Sequence, residues 1–208
     1  MIPIQNIYYM LSYAFQVLNE QGYKNIATEQ FNNTGELMAA ILEKGIAIQL
    51  KRGLGKEYIP QTEALSSLRG KIDIAESIKT QSMLRKQLIC TYDEFSVNSI
   101  MNRIIKSTVE LLLRSNISKQ RKKNLRKLMV YFSEVDFIDL YTVNWNVQYN
   151  RNNQTYRMLI SICYLVVKGL LQTQSNGHTK LMDFLDEQRM CRLYEKFILE
   201  YYRREFKN

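Results

Sequence analysis

Few side chains in this sequence have the type and spacing needed to cut a phosphodiester bond. Glu205-Phe206-Lys207 has the carboxylate-x-lysine spacing of metal-dependent nucleases, whose carboxylates hold the ion that activates water. Those enzymes usually carry the motif on one strand, with an aspartate on the strand before it. Here the three residues continue a helical pattern at the end of the chain, so the spacing alone does not predict a nuclease site.

Nucleophilic catalysis and metal binding by histidine or cysteine also lack the required residues. His178 is the only histidine and stands beside Gly177 in a loop, where a surface position without a catalytic role is the better interpretation. The three cysteines, Cys90, Cys163 and Cys191, lie far apart in apolar runs, which indicates buried, reduced thiols. We predict no catalytic residues and no metal site.

The glycine-containing stretch RGLGKEY, which begins at Arg52, invites comparison with a phosphate-binding loop. It lacks the four-residue spacer and the final Gly-Lys-Ser/Thr of that motif, and no parallel strand is predicted before it. The stretch is better interpreted as the end of a helix followed by a turn.

The chain is basic, with 29 Lys and Arg against 20 Asp and Glu and a formal charge of +9, which favours acidic partners. Much of the excess falls on one predicted helix and just before it. This basic cluster could track a DNA backbone or could simply be a solvated helix face, and the sequence leaves both open. Its candidate DNA contacts are Arg114, Lys119, Arg121, Lys122, Lys123, Arg126 and Lys127.

Six stretches repeat apolar residues at helical spacing. The second opens with Asn33 and Glu36, which resemble a capping box, and the third with Asn98 as a candidate cap. The stretches run from Pro3 to Gly22, Asn33 to about Leu50, Asn98 past Leu112, Lys119 to Phe132, Tyr156 to Gln172, and Asp186 to about Phe206.

Three shorter stretches are predicted to form a small antiparallel sheet. Residues 57–65 include Pro60, which predicts an edge strand, residues 71–78 alternate polar and apolar, and residues 87–95 form the third strand. The connections 66–70 and 80–85 are expected to project as hairpin tips. A further strand is predicted for Tyr141 to Tyr149, where apolar residues occupy every second position.

These elements predict an α+β fold, predominantly helical, with the small sheet in the N-terminal half and a helical C-terminal part. A chain of 208 residues that is 46% hydrophobic can bury a sizeable core. The first residues show no secretory leader, and the longest apolar run, 158–171, is too short to cross a bilayer. We therefore expect a soluble, cytoplasmic protein without membrane partners.

Five blocks of the sequence, taken in order, resemble the McrC subunit of McrBC-type, 5-methylcytosine-specific (type IV) restriction systems. The resemblance extends from Ile2 to Phe206. The blocks are IPIQNIYYMLSYAF, RGLGKEYIPQTEAL, LRGKIDIAESI, YDEF with NSIMNRIIKST, and LYEKFILEYYRREF.

The resemblance implies that residues 1–150 dock onto a hexameric ring of an McrB-like AAA+ GTPase and stimulate its GTP hydrolysis. Residues 151–208 would be the helical start of a nuclease domain whose PD-(D/E)XK strands, and the Mg²⁺ they need, are not expected in this chain. Glu195 corresponds to a weak candidate metal ligand on the first helix of that domain. Gly53, Gly70 and Ile72 also match recurrent positions of the family. The implied partner-binding residues are Arg52, Arg69, Lys71, Asp93, Asn102, Arg103 and Lys106.

Two main hypotheses follow, beside a weaker third one, that the chain is a nuclease in its own right. The first is a non-catalytic portion of a restriction subunit that docks onto the GTPase and couples GTP hydrolysis to DNA cleavage elsewhere. The alternative is a basic DNA-binding module that uses the Lys119–Lys127 helix.

Overall fold

The computed structural model describes residues 4–15, 18, 23–149, 153, 155–171, 195 and 199. Its contacts divide the chain into two compact units, Gly55–Ile100 and the combination of Met1–Leu54 with Met101–Asn208. We call them the sheet unit and the helical unit. The fold is α+β, mostly helical with one three-stranded antiparallel sheet among the described residues, as predicted. The functional boundary at residue 150 stays a prediction.

The elements follow one another in chain order, with short 3-10 turns at Ser82–Arg85 and Val130–Phe132. They are α1 (Ile4–Ala14), α2 (Lys24–Thr28), α3 (Thr34–Arg52), β1 (Glu57–Leu65), β2 (Lys71–Asp73), α4 (Ile74–Lys79), β3 (Leu88–Ser96), α5 (Ile100–Arg114), α6 (Lys119–Met129) and α7 (Tyr156–Leu171).

Helix α3 is the centre of the helical unit and contacts α1, α2, α6 and α7. It begins as predicted, because the Asn33 side chain accepts a hydrogen bond from the Glu36 backbone N–H at 2.8 Å. Every residue from Leu37 to Leu42 is buried, so this part of the helix is surrounded by other elements. At Gly45 a Cβ would stand 2.4 Å from Leu159 Cδ2, so the absence of a side chain lets α7 approach closely.

The sheet has the order β1-β3-β2, with both outer strands antiparallel to β3. Pro60 therefore lies on an edge strand, as predicted from its missing N–H. Cys90 on the central strand β3 is fully buried, opposite Glu63 on β1 and Ile72 on β2.

The prediction that residues 71–78 form one strand was wrong after Asp73. The Asp73 side chain accepts a hydrogen bond from the Glu76 backbone N–H at 2.9 Å and starts α4. Ile74 and Ile78, four residues apart, fit a helical period as well as an alternating one, and both are exposed. A local cap thus determined the conformation in a short segment whose periodicity is ambiguous.

The expected hairpin tips are also absent from the sheet unit. β1 and β2 lie on opposite sides of β3, so the 66–70 connection joins strands that are not neighbours. The path from β2 to β3 runs through α4 and the 3-10 turn at Ser82–Arg85, not through a tight turn. Ser77 of α4 ties this path to the sheet, because its hydroxyl accepts a hydrogen bond from Ile89 N–H at 2.8 Å.

No strand forms between Tyr141 and Tyr149, contrary to the prediction. The predicted alternation is nevertheless present in the burial, since Val143, Trp145 and Val147 are half-buried and the residues between them are exposed. Trp145 packs edge-on against Tyr164 of α7, with ring centroids 5.3 Å apart. The segment packs alternate side chains against a helix. It forms no β-strand because a strand needs a neighbouring strand to share its backbone hydrogen bonds.

The other helices follow the predicted order with shifted ends. α1 ends at Ala14 and not near Gly22, and α5 begins two residues after Asn98. α7 is largely buried, as its apolar composition predicted. The predicted helix 186–206, His178 and the Glu205–Lys207 motif lie outside the described residues, except for Glu195 and Leu199. No helix of the described part is long and apolar enough to cross a membrane.

Candidate functional site

One face of the sheet unit is exposed and carries two of the predicted partner-binding residues. Side chains of directly opposed residues share a face, which places Tyr58 with Phe95 and Pro60 with Asp93. Lys71 lies opposite Thr91 and so belongs to the same face. We call Tyr58, Pro60, Lys71, Asp93 and Phe95 the exposed sheet face.

Two aromatic rings dominate this face. Tyr58 is 72% exposed and Phe95 is 55% exposed, with ring centroids 4.9 Å apart. Lys56 Nζ lies 5.7 Å from the centre of the Phe95 ring, within cation–π range. Lys71 and Asp93 are both exposed and form no ion pair with another described residue. The face therefore combines apolar contact area with separate charges of both signs.

Arg69 lies on the opposite face of the same sheet. Its guanidinium stands 3.9 Å from the centre of the Tyr92 ring, and the Tyr92 hydroxyl donates a hydrogen bond to the Glu63 carboxylate. That hydrogen bond raises the pKa of Tyr92, and burial and the charge of Glu63 act in the same direction while Arg69 opposes them. The stacking restricts Arg69 to the Tyr92 side of the unit.

Gly70, next to Arg69, is required by the backbone. Its φ is +68°, and a Cβ there would stand 2.3 Å from the Thr91 carbonyl oxygen. Arg52 and Gly53 differ from this pair. Arg52 is exposed in the last turn of α3, and Gly53, with φ +90°, has nothing within 4 Å of an added Cβ.

A second apolar surface of the sheet unit is formed by α4 and the 3-10 turn after it. Leu84 is 80% exposed, and Ile74, Ile78 and Met83 are also exposed. The turn is bounded by Gln81 and Lys86, both left-handed, so the backbone holds Met83 and Leu84 between two sharp changes of direction. We call these four apolar residues the α4 patch.

Asn102 of α5, a predicted partner contact, is fully buried. Its Oδ1 accepts a hydrogen bond from the Tyr156 hydroxyl at 2.8 Å, which links α5 to the start of α7. A buried amide with such a partner supports the fold, because leaving it unsatisfied would cost stability.

Arg103 and Lys106 bind backbone carbonyls of the segment that follows α6. Lys106 Nζ donates to the carbonyls of Phe132, at 2.8 Å, and Val135, and it stands 4.7 Å from the centre of the Phe137 ring. Arg103 donates to the Phe137 carbonyl at 3.2 Å. Both side chains are half-buried, and their hydrogen bonds hold this segment on α5.

The basic helix α6 has two chemically different sides. Leu125 is buried, while Lys119, Lys123, Arg126 and Lys127 are exposed and Lys122 is half-exposed. These five cations form no ion pair with another described residue. Arg114 at the end of α5 differs, because it pairs with Glu110 at 3.1 Å.

Arg121, a predicted DNA contact, instead faces the helical unit. Its guanidinium contacts Glu29, Glu36 at 3.5 Å and Glu43 at 2.9 Å, and its side chain is only 13% exposed. Burial alone would lower the pKa of Arg121, but the hydrogen bond and charge of Glu43, with the charges of Glu29 and Glu36, raise it overall. The Arg121 guanidinium is therefore charged, is paired with carboxylates, and links α6 to α3.

The residues that the structure describes do not fit a magnesium site. No three side chains of His, Cys, Asp or Glu among them come close enough to hold an ion. Glu195 is exposed and in helical conformation. We assign no metal-dependent step to this part of the chain.

Sequence reasoning missed the apolar half of the candidate surface. Tyr58 and Phe95 belong to segments that were predicted as strands, but only the strand register brings the two rings together. The α4 patch was missed because Ile74 and Ile78 were assigned to a strand and not to a helix.

Two solved structures share this fold. The cryo-EM structure of the Thermococcus gammatolerans McrBC complex matches with a TM-score of 0.63 and 21% identity, covering 99% of this chain and 59% of that chain. A refined half-complex from the tetradecameric assembly of T. gammatolerans McrB AAA+ hexamers with bound McrC matches with a TM-score of 0.63 and 22% identity. That match covers 97% of this chain and 46% of the other. At these identities the likeness establishes the fold.

Sequence comparisons establish the family. The Type IV methyl-directed restriction enzyme EcoKMcrBC of Escherichia coli (strain K12) is 30% identical over 207 residues, or 98% of this chain. The chain spans 60% of the length of that relative. The family model described as "McrBC 5-methylcytosine restriction system component" matches residues 5–208. The chain belongs to the McrBC 5-methylcytosine restriction system component family.

Proposed function

We propose that this chain acts as an McrC-type subunit whose sheet unit docks onto a ring-forming McrB-type GTPase and raises its GTP turnover. One observation carries the proposal: large exposed hydrophobic side chains concentrate in the sheet unit. Within its 46-residue span it exposes eight of them: Tyr58, Leu68, Ile74, Ile78, Met83, Leu84, Phe95 and Ile100. Apolar exposure concentrated in a small unit is typical of a protein-binding surface.

The exposed sheet face has the composition expected at the centre of a protein interface. Aromatic residues are enriched in such centres and contribute much of the binding energy when they become desolvated. Tyr58 and Phe95 form such a pair, Asp93 is the next residue of β3 on the same face, and Lys71 lies further along that face, opposite Thr91. Charges of both signs at the edge of an aromatic contact favour a partner with complementary charges and fix its orientation.

The predicted partner-binding residues divide into two groups. Lys71, Asp93, Arg69 and Arg52 are exposed and are proposed to contact the GTPase. Asn102, Arg103 and Lys106 are proposed to act indirectly, by holding α7 and the segment after α6 in place. Their hydrogen bonds inside the helical unit support that assignment.

The relatives support the identity of the partner. One of the structures with this fold contains McrB AAA+ hexamers with bound McrC. We propose the corresponding pairing for this chain, with GTP hydrolysis by the ring coupled to DNA cleavage by a nuclease domain. In this division of labour the described residues bind and stimulate, and they do not cut DNA.

The proposal is tested by mixing the protein with the GTPase subunit of its own system and measuring GTP turnover and assembly size. The wild-type chain should raise turnover and enlarge the assembly. Replacing Tyr58 and Phe95 together by Ala should remove most of the stimulation, because loss of an interface aromatic costs about 2 kcal/mol or more. Tyr131→Ala, which removes a 67% exposed ring from the helical unit, should keep it. Unchanged turnover and assembly size with the wild-type chain would overturn the proposal.

A further inference from the structure

We infer that the outward side of α6 is a binding surface for the phosphate backbone of duplex DNA. The surface consists of five cations that we call the α6 basic face: Lys119, Lys122, Lys123, Arg126 and Lys127. The inference does not depend on docking to a GTPase, because it concerns a different unit of the chain and different chemistry.

Helix geometry brings these five side chains to one side. At 3.6 residues per turn they fall within an arc of about 140°, and Leu125 and Arg121 lie on the opposite side. Leu125 is fully buried there and Arg121 is mostly buried. Arg121, which supports the fold, therefore lies on the opposite side of α6 from the five cations of the α6 basic face.

The acidic residues that contact α6 lie on its inner side. Glu29, Glu36 and Glu43 all contact Arg121, and Glu43 also accepts a hydrogen bond from Asn124 at 2.9 Å. Since these carboxylates are used on the buried side, the α6 basic face has no acidic partner among the described residues. A surface that carries only positive charges attracts a polyanion.

The composition of the face favours nucleic acid over an acidic protein. Lysine is depleted in protein–protein interfaces, whose centres are apolar and aromatic, whereas protein–DNA interfaces are more polar and strongly positive. The α6 basic face contains only Lys and Arg, and the nearest exposed apolar residues in sequence, Val130 and Tyr131, follow the helix. A phosphate backbone matches this composition.

The length of the face sets the expected size of the effect. From Lys119 to Lys127 the helix rises about 12 Å, which corresponds to about three phosphates along one DNA strand. Neutralising about three phosphates gives a slope of log affinity against log salt near about −2.7. Affinity should therefore fall about 40-fold between about 50 mM and about 200 mM KCl. Methylated and unmethylated duplexes should bind equally, because backbone contacts carry no sequence information.

The test compares two charge reversals of equal size in the full chain. K123E/R126E acts on the α6 basic face, and R85E/K86E makes the same change in net charge on exposed residues of the sheet unit. Binding is measured by fluorescence anisotropy with a labelled duplex of about two helical turns across the salt range. We expect K123E/R126E to lower affinity at least about tenfold and to reduce the salt slope by about 1.8, while R85E/K86E lowers affinity less than about threefold.

Several results would overturn the inference. Equal losses in the two variants would mean general attraction to a basic protein, and an unchanged affinity for K123E/R126E would mean that α6 does not contact DNA. If polyglutamate of matched charge displaced the chain as well as unlabelled duplex does, an acidic protein surface would be the better partner. Circular dichroism and urea unfolding establish that each variant is folded, and K123Q/R126Q provides a milder second variant. The α6 variants should retain stimulation of GTP turnover, which separates this result from the proposed docking.

Discussion

The carboxylate of Glu36 accepts hydrogen bonds from both the backbone N–H and the hydroxyl of Ser118, at 2.8 and 2.7 Å. Glu36 lies in the first turn of α3, and Ser118 is the N-cap of α6, whose hydroxyl also accepts from Arg121 N–H at 3.2 Å. The start of one helix thus fixes the start of the other. Because this link holds the inner side of α6, it also determines which side of α6 carries the free cations.

Removing the Glu36 carboxylate should destabilise the helical unit strongly. Glu36→Ala leaves the polar groups of Ser118 without their acceptor and removes one partner of the buried Arg121. We expect the free energy of unfolding to fall by about 2–4 kcal/mol in urea titrations. Glu29→Ala removes a carboxylate that is 44% exposed, and it should cost less than about 1 kcal/mol. Equal costs for the two variants would contradict the assigned role of Glu36.

Two glycines with positive φ should respond differently to the same substitution. Gly70→Ala places a Cβ 2.3 Å from a carbonyl oxygen of β3, whereas Gly53→Ala meets nothing within 4 Å. Both variants carry the conformational cost of about 1–3 kcal/mol, but only Gly70→Ala adds a steric clash with backbone. Thermal unfolding should therefore show a larger loss for Gly70→Ala, together with weaker GTPase stimulation. A larger loss for Gly53→Ala would contradict this account of the sheet unit.

Measuring both stability and GTP turnover should distinguish residues that support the fold from residues that contact the partner. Tyr156→Phe removes the hydrogen bond that the Tyr156 hydroxyl donates to the buried Asn102 Oδ1 and should lower stability by about 1–3 kcal/mol. Lys71→Glu changes an exposed residue, so it should alter stability by less than about 0.5 kcal/mol while reducing GTPase stimulation. The urea midpoint and GTP turnover are measured for both variants. A Lys71→Glu variant that stimulates normally would remove Lys71 from the docking surface.

The thiol of Cys163 should make a stability contribution that declines at alkaline pH. Burial raises the pKa of Cys163 from 9.0 to about 12. Above about pH 9 the unfolded chain gains a thiolate that the folded chain does not form, so the unfolded state is favoured as pH rises. The stability difference between wild type and Cys163→Ala should be constant below about pH 8 and should shrink by up to about 1.4 kcal/mol per pH unit above about pH 9. Urea titrations from about pH 7 to about pH 10 measure this difference. A constant difference across that range would contradict a buried, protonated thiol.

Local rules predicted much of the fold. The cap at Asn33, the edge position of Pro60 and the burial of α7 each depend on a few neighbouring residues, and each prediction is confirmed. The error at residues 71–78 came from an ambiguous period, which a local cap at Asp73 resolved, and another error occurred where a pattern needed a partner that the sequence does not reveal. Alternation between Tyr141 and Tyr149 indicated which side chains are half-buried, but not that helix α7 would replace a neighbouring strand.

The candidate surfaces were predictable only in part for the same reason. The charge of α6 is visible in sequence, but the assignment of Arg121 to the fold required Glu29 and Glu43, which are distant along the chain. The pairing of Tyr58 with Phe95 likewise depends on strand register. Side chains that act through long-range contacts are therefore the ones that sequence patterns cannot assign.

The docking role of the sheet unit can be tested most directly by site-specific photocross-linking. A photoreactive phenylalanine analogue placed at Tyr58 or at Phe95 replaces an exposed ring of the sheet unit, and at Tyr131 it replaces a ring of the helical unit whose exposure lies between those two. In the presence of GTP and the GTPase ring, the account predicts cross-links from Tyr58 and Phe95 and none from Tyr131. Cross-links from Tyr131 alone, with Tyr58 and Phe95 silent in an assembled complex, would contradict it.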